Sequence, residues 1–176
     1  MNPYLKAFTI IAFLQFVANN VIAGALPQDP CALLKPTEIQ AAVAPNANIG
    51  TGVPAKNMLP LGVECSYTWG PRTKEWGESN FTVTVIDGSK AWPGMNPALI
   101  EQGILLKVKT NAPNGSQISG VGDAAVFTFE ARSSNGTAEA YFQGKGLHLS
   151  VAFHAGSALQ DKEKIIALLK EAAGRL

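Results

Sequence analysis

Val63-Glu64-Cys65-Ser66-Tyr67-Thr68-Trp69 puts Val63, Cys65, Tyr67 and Trp69 at every second position. Successive side chains of a β-strand point to opposite faces, so this run reads as a half-buried strand with Cys65 on its inner side. Asn80-Phe81-Thr82-Val83-Thr84-Val85-Ile86-Asp87 repeats the alternation. Its β-branched and aromatic residues suit a pleated, half-buried surface. The polar residues 70–79 between the two runs read as a hairpin tip carrying Trp76, with Glu75 and Glu78 beside it as a solvated pair.

Upstream, Cys31 follows Asp29-Pro30 and opens Cys31-Ala32-Leu33-Leu34-Lys35-Pro36-Thr37-Glu38-Ile39. Residues 31–44 are expected to be a short helix. Pro36 suits the first helical position, Glu38 can reach back to the open amides, and Leu34 can pack on Ile39. Pro45 stops it, and the three prolines and three glycines of residues 45–62 predict a long surface loop.

Residues 1–25 have the parts of a secretory signal: Lys6 as positive flank, an apolar core beginning at Ala7, and small residues at the end. Cleavage fits after Ala23 or Ala25. Gln15, Asn19 and Asn20 leave too short an apolar run to span a bilayer, so no stable membrane insertion is expected after cleavage. Cys31 and Cys65 are the only cysteines. In an oxidising compartment they are expected to pair, tying the first helix to the first strand. The expected location is therefore periplasmic or secreted, with residues 26–176 forming a single exported domain.

Downstream, Asn96-Pro97 reads as a helix start with Leu99, Ile100, Gly103 and Ile104 inward, joined by Leu106 and Val108 if the helix continues. Gly103 leaves open an extended alternative for residues 105–109. Residues 111–116 are a turn cluster. Residues 125–132, 137–143 and 147–154 read as an antiparallel meander, with Asn135-Gly136 as a hairpin signal. Residues 159–173 form a last helix with Ile165, Ile166, Leu168, Leu169 and Ala172 on its core face. The predicted fold is α+β, a single domain with a mostly antiparallel sheet of about five strands and two or three helices, including a C-terminal one.

Hydrophobic residues make up 47% of the chain and charged ones 15%, a globular balance. The formal charge is +1, and without Lys6 the basic residues number 13 against 13 acidic. No run of like charges occurs, which argues against a nucleic-acid partner.

Candidate chemistry is sparse. Gly120-Val121-Gly122-Asp123-Ala124-Ala125 has the letters of a dinucleotide fingerprint but precedes an alternating strand, where the mechanism needs a helix. Gly120, Gly122 and Asp123 therefore read as a tight turn, with Asp123 capping local amides. His148 and His154, the only histidines, share a strand face with Ser150 and Ala152 and are read as two solvent-side residues. At roughly 3.3 Å per residue they stand about 20 Å apart, too far to hold one metal ion. No Gly-x-Ser-x-Gly, Ser-x-x-Lys, His-Glu-x-x-His or Cys-x-x-Cys occurs. No catalytic residue, metal ligand or cofactor is expected. Trp76 and Trp92 lie in loop-like stretches and are candidate partner contacts, set against the alternative that each folds back on the core. Asn80, Asn114 and Asn135 each begin a glycosylation triplet, which carries weight only in a eukaryotic host.

Asp29-Pro30-Cys31-Ala32-Leu33-Leu34 with Pro36 and Glu38, then Cys65 beside Tyr67 and Trp69, then the Gly120, Gly122, Asp123, Ala125 turn, resembles a family of short exported bacterial proteins of unknown function, many of them lipoproteins. The resemblance implies an α+β domain with an antiparallel sheet and a disulfide. It lends no catalytic residues. Lys35 departs from the usual Thr or Ser, and no lipid-attachment motif is present. The reading that follows is an envelope or secreted binding module for an unknown protein or small ligand. The alternatives are a partner-specific inhibitor or chaperone-like protein, and a small hydrolase with a site assembled around His148 or His154.

Overall fold

The computed structural model describes residues 24–55, 61–73, 77–154 and 161–176. Most of the expected signal, and the tip residues Glu75 and Trp76, lie outside the described residues.

The architecture is one antiparallel sheet with helices on both faces. The strands are β1 (Val53–Pro54), β2 (Gly62–Thr73), β3 (Gly77–Asp87), β4 (Ser116–Gln117), β5 (Ala124–Glu130), β6 (Asn135–Phe142) and β7 (Leu147–His154). Their order is β1-β2-β3-β7-β6-β5-β4, so the last strand joins the β2–β3 hairpin to the β5–β6 hairpin. The helices are α1 (Pro36–Val43), α2 (Gly88–Ala91), α3 (Pro97–Thr110) and α4 (Lys162–Gly174). The α+β expectation holds, with seven strands and four helices among the described residues rather than about five and two or three. The additions are the two-residue edge strands β1 and β4 and the single turn α2.

The first helix is not continuous. Pro30–Ala32 forms a 3₁₀ turn, and Lys35 is extended (φ −87°, ψ 149°) before α1 begins at Pro36. The ring of Pro36 disfavours a helical Lys35, which divides the run predicted over 31–44. Glu38 accepts the Lys35 amide at 2.8 Å, as its position in the first turn suggested.

Face parity follows the alternation. One face carries Cys65 and Tyr67 of β2, Phe81, Val83 and Val85 of β3, Leu149, Val151 and Phe153 of β7, Ala138 and Ala140 of β6, and Phe127 of β5. All of these are buried, beneath Ile39 of α1 and Ile165, Leu168, Leu169 and Ala172 of α4. The Cys31–Cys65 disulfide is formed, with Cα atoms 5.1 Å apart. The Tyr67 hydroxyl beside it donates to the Leu34 carbonyl, with the Cys31 carbonyl at 3.2 Å. Burial, reinforced by the carboxylates of Asp29 and Glu38, pushes the Tyr67 phenol up to about 12, so it remains a donor. Gly52 lies against the bridge. A Cβ there would stand 2.5 Å from the Cys65 sulfur, so only glycine fits. Arg175 closes the layer, donating to the Leu33 carbonyl at 2.9 Å and to both Glu38 oxygens at 2.8 and 2.6 Å.

Two turns differ from expectation. The β5–β6 turn spans residues 131–134, with Ser134 at φ 52°, and Asn135 and Gly136 already pair with Glu130 and Phe129. That register sets Phe127 opposite Ala138, large against small, which a turn at Asn135-Gly136 would not allow. Gly120 and Gly122 take positive φ (78° and 58°), as a tight turn requires. The Asp123 carboxylate, however, accepts the Gln143 amide of the β6–β7 turn at 2.7 Å rather than capping its neighbours.

Candidate functional site

The second face of the sheet carries Glu64, Ser66, Thr82, Thr84, Ser150, Thr137, Glu139, His148, Tyr141 and Val126. A helical roof covers part of it: α3 lies over β5 and β6, and the short α2 lies against β3 and β7. Asn96 starts α3 by accepting the Ala98 amide at 2.9 Å, and Pro97 holds the first helical position. Ile100 and Ile104 then pack on Ala124, Val126 and Tyr141, with Trp92, Leu105 and Val108 around them. The helix runs to Thr110, and the extended alternative for residues 105–109 is not taken. Leu99 and Leu106, expected to face inward, are 57% and 54% exposed. Ile100 and Ile104, one turn apart, are the buried positions of α3, with Leu105 and Val108 half-buried beside them.

Where the roof ends, a charged cluster joins it to the sheet. Glu139 is 4% exposed, and Lys107 of α3 donates to both its oxygens at 2.7 Å. His148 Nε2 lies 2.7 Å from Glu139 Oε2. Burial pushes the Glu139 carboxyl up, but the hydrogen bonds from His148 and Lys107 outweigh it and hold the group below its ordinary value. Glu139 is therefore ionised and accepts only, which fixes the proton of His148 on Nε2. His148 Nδ1 is buried without a hydrogen-bond partner among the described residues, and the Trp92 ring stands edge-on to the imidazole with centroids 5.9 Å apart.

His148 is thus not a solvent-side residue; it is 7% exposed under α2 and α3. His154 lies 19 residues from Asn135 in sequence and is hydrogen-bonded to it, away from the Glu139 cluster. The two histidines share a face, as alternation predicted, but do not meet. Glu139 orients His148 as a carboxylate orients a catalytic base, yet among the described residues no hydroxyl or thiol meets Nδ1. The arrangement fixes a roof to a sheet. Nor is any group of three or more His, Cys, Asp or Glu side chains placed to hold a metal ion among the described residues.

Trp92 is half-buried and lines a pocket of about 200 Å³ with Gly88, Ser89, Gly94, Met95, Pro97, Ile100 and Tyr141. A second depression of about 520 Å³ runs along the outer side of α3 between Leu99, Gly103, Leu106 and Lys109. Trp76, the other candidate contact, falls outside the described residues. The sequence reading missed Glu139, Lys107 and Tyr141. A carboxylate alternating with Ala138 and Ala140 in a strand was the available signal for the first. The chain matches no known protein family, no curated protein and no solved structure. Among the described residues no helix is long and apolar enough to cross a membrane.

Proposed function

We propose that the chain is an exported binding module, periplasmic or secreted, whose partner is received on the α2–α3 roof around Trp92. The observation that carries this reading is the distribution of exposed large hydrophobic residues. Among the described residues they are Val53, Met95, Leu99 and Leu106, and the last three all belong to the roof or its lead-in. Clustered apolar side chains beside a pocket mark an interaction surface, whereas single ones do not. The Cys31–Cys65 bridge supports export, because cytosolic thiol systems keep such pairs reduced.

The test is a pull-down of the mature oxidised protein from envelope extracts of its source, run in parallel with a Leu99→Asp, Leu106→Asp double variant. The wild type is expected to retain a partner that the variant loses. A variant retaining every wild-type interaction refutes the placement. Mass spectrometry of the exported protein with and without reductant is expected to show a two-proton difference; free thiols at both positions would remove the argument for export.

A further inference from the structure

The pocket beside Trp92 is small, ring-walled and uncharged, and those three properties narrow what it accepts. Its volume is about 200 Å³. An apolar cavity of roughly 150 Å³ holds benzene, while drug-sized ligands occupy about 300 Å³ or more. The space therefore suits one six-membered ring with a small substituent. Trp92 and Tyr141 supply aromatic walls and Met95 a thioether, surfaces that favour an aromatic ring. No Lys, Arg, His, Asp or Glu lines the pocket, so a charged ligand would lose its water without gaining a partner.

Two of the lining residues, Tyr141 and Ser89, carry polar groups. The Tyr141 hydroxyl makes no hydrogen bond among the described residues. Burial, with the Glu101 and Asp123 carboxylates, raises its pKa, so it stays a proton donor. Ser89 Oγ donates its own proton to Asp87 Oδ1 at 2.6 Å, which leaves only lone pairs to offer. Both residues line the pocket, and a ring hydroxyl is a ligand group able both to accept from a phenol and to donate to a serine oxygen.

We propose that this pocket binds a neutral phenolic ring, deepening the binding-module reading on which it rests. The probe is p-cresol, titrated into the mature oxidised protein by calorimetry and by the NMR shift of the Trp92 indole N–H. Saturable one-to-one binding is expected, with toluene about fivefold weaker, the factor one net hydrogen bond supplies. Tyr141→Phe should weaken p-cresol about fivefold and leave toluene unchanged. Met95→Trp, placed on a half-exposed side chain so that the fold is spared, should fill the mouth and abolish both. N-acetyl-tyrosinamide is a further arm. Its binding assigns the ring to a tyrosine of a partner chain, and binding of p-cresol alone assigns it to a free phenol.

Absence of saturable p-cresol binding, equal affinity for toluene, or undiminished binding in Met95→Trp overturns the proposal. Loss of p-cresol binding with partner capture still sensitive to Leu99→Asp, Leu106→Asp sinks the phenol assignment alone. Phenol binding with partner capture insensitive to those changes sinks the partner surface alone.

Discussion

The two faces of this sheet are covered in different ways. The first lies under α1 and α4, with Leu34, Ile39, Ile165 and Leu169 fully buried on it and the Cys31–Cys65 bridge at one end. The second carries α3 and the single turn α2, with α3 seated through Ile100 and Ile104 and held at its margin by Lys107, Glu139 and His148. The sealed face leaves no large apolar side chain of its helices in water, whereas the roof leaves Leu99 and Leu106 there. Burial of apolar area is the main source of stability, so the first face holds the domain together. The second has surface to spare for a partner.

Removing the bridge should have the largest effect. Cys31→Ala, Cys65→Ala frees a 34-residue separation, which is worth about 3.5–4 kcal/mol in the chain-entropy account. Urea unfolding of the double variant against the oxidised wild type measures it, and a loss under about 1 kcal/mol would mean that the sealed face does not depend on its clamp. Next, Leu169→Ala should cost about 3 kcal/mol and Ile104→Ala about 2 kcal/mol. Leu169 is enclosed between α4 and the sheet, while the roof can settle around a shortened Ile104. Reversed magnitudes would invert the ranking of the faces.

Glu139→Gln should cost about 2 kcal/mol, since it leaves His148 and Lys107 facing a neutral amide, though half-exposed Lys107 regains water. The same carboxylate sets a pH dependence. Its folded pKa is lowered, so its contribution is complete above the ordinary carboxylate range and is lost as pH falls through that lowered value. Glu38 acts with the same sign: the Arg175 hydrogen bond holds it at about 2 against an ordinary 4.5, so its contribution disappears between those values. Denaturation midpoints measured from pH 6 to pH 2 should fall steadily, and less steeply in Glu139→Gln. The smallest effect belongs to Leu99→Asp with Leu106→Asp. Exposed positions tolerate such changes within about 0.5 kcal/mol, so any binding loss there is not an unfolding loss.

What could be read from the chain beforehand follows the same division. The five long strands were legible because alternation needs several residues to declare itself. Two-residue strands such as β1 and β4 have no period to detect. The sealed face could be listed almost residue by residue, from Cys65 and Tyr67 to Leu149 and Val151. On the second face, periodicity put His148 correctly opposite Leu149. It carried no information on what lies above that face, so a buried partner of Glu139 read as a solvent-side histidine. Leu99 and Leu106 failed for the converse reason. Leucines at helical spacing predict a core face, and only the width of the sheet edge beneath α3 decides which of them reach it. Asn135-Gly136 was a sound local turn signal overruled by the register that sets Phe127 against Ala138.

Native-state hydrogen exchange on the mature oxidised protein tests the division most directly. Amides of β7 and α4 should exchange only through global unfolding, while those of α3 open locally at a distinctly lower free energy. Equal protection of α3 and α4 would contradict the account, because the roof would then be as firmly sealed as the face it was set against.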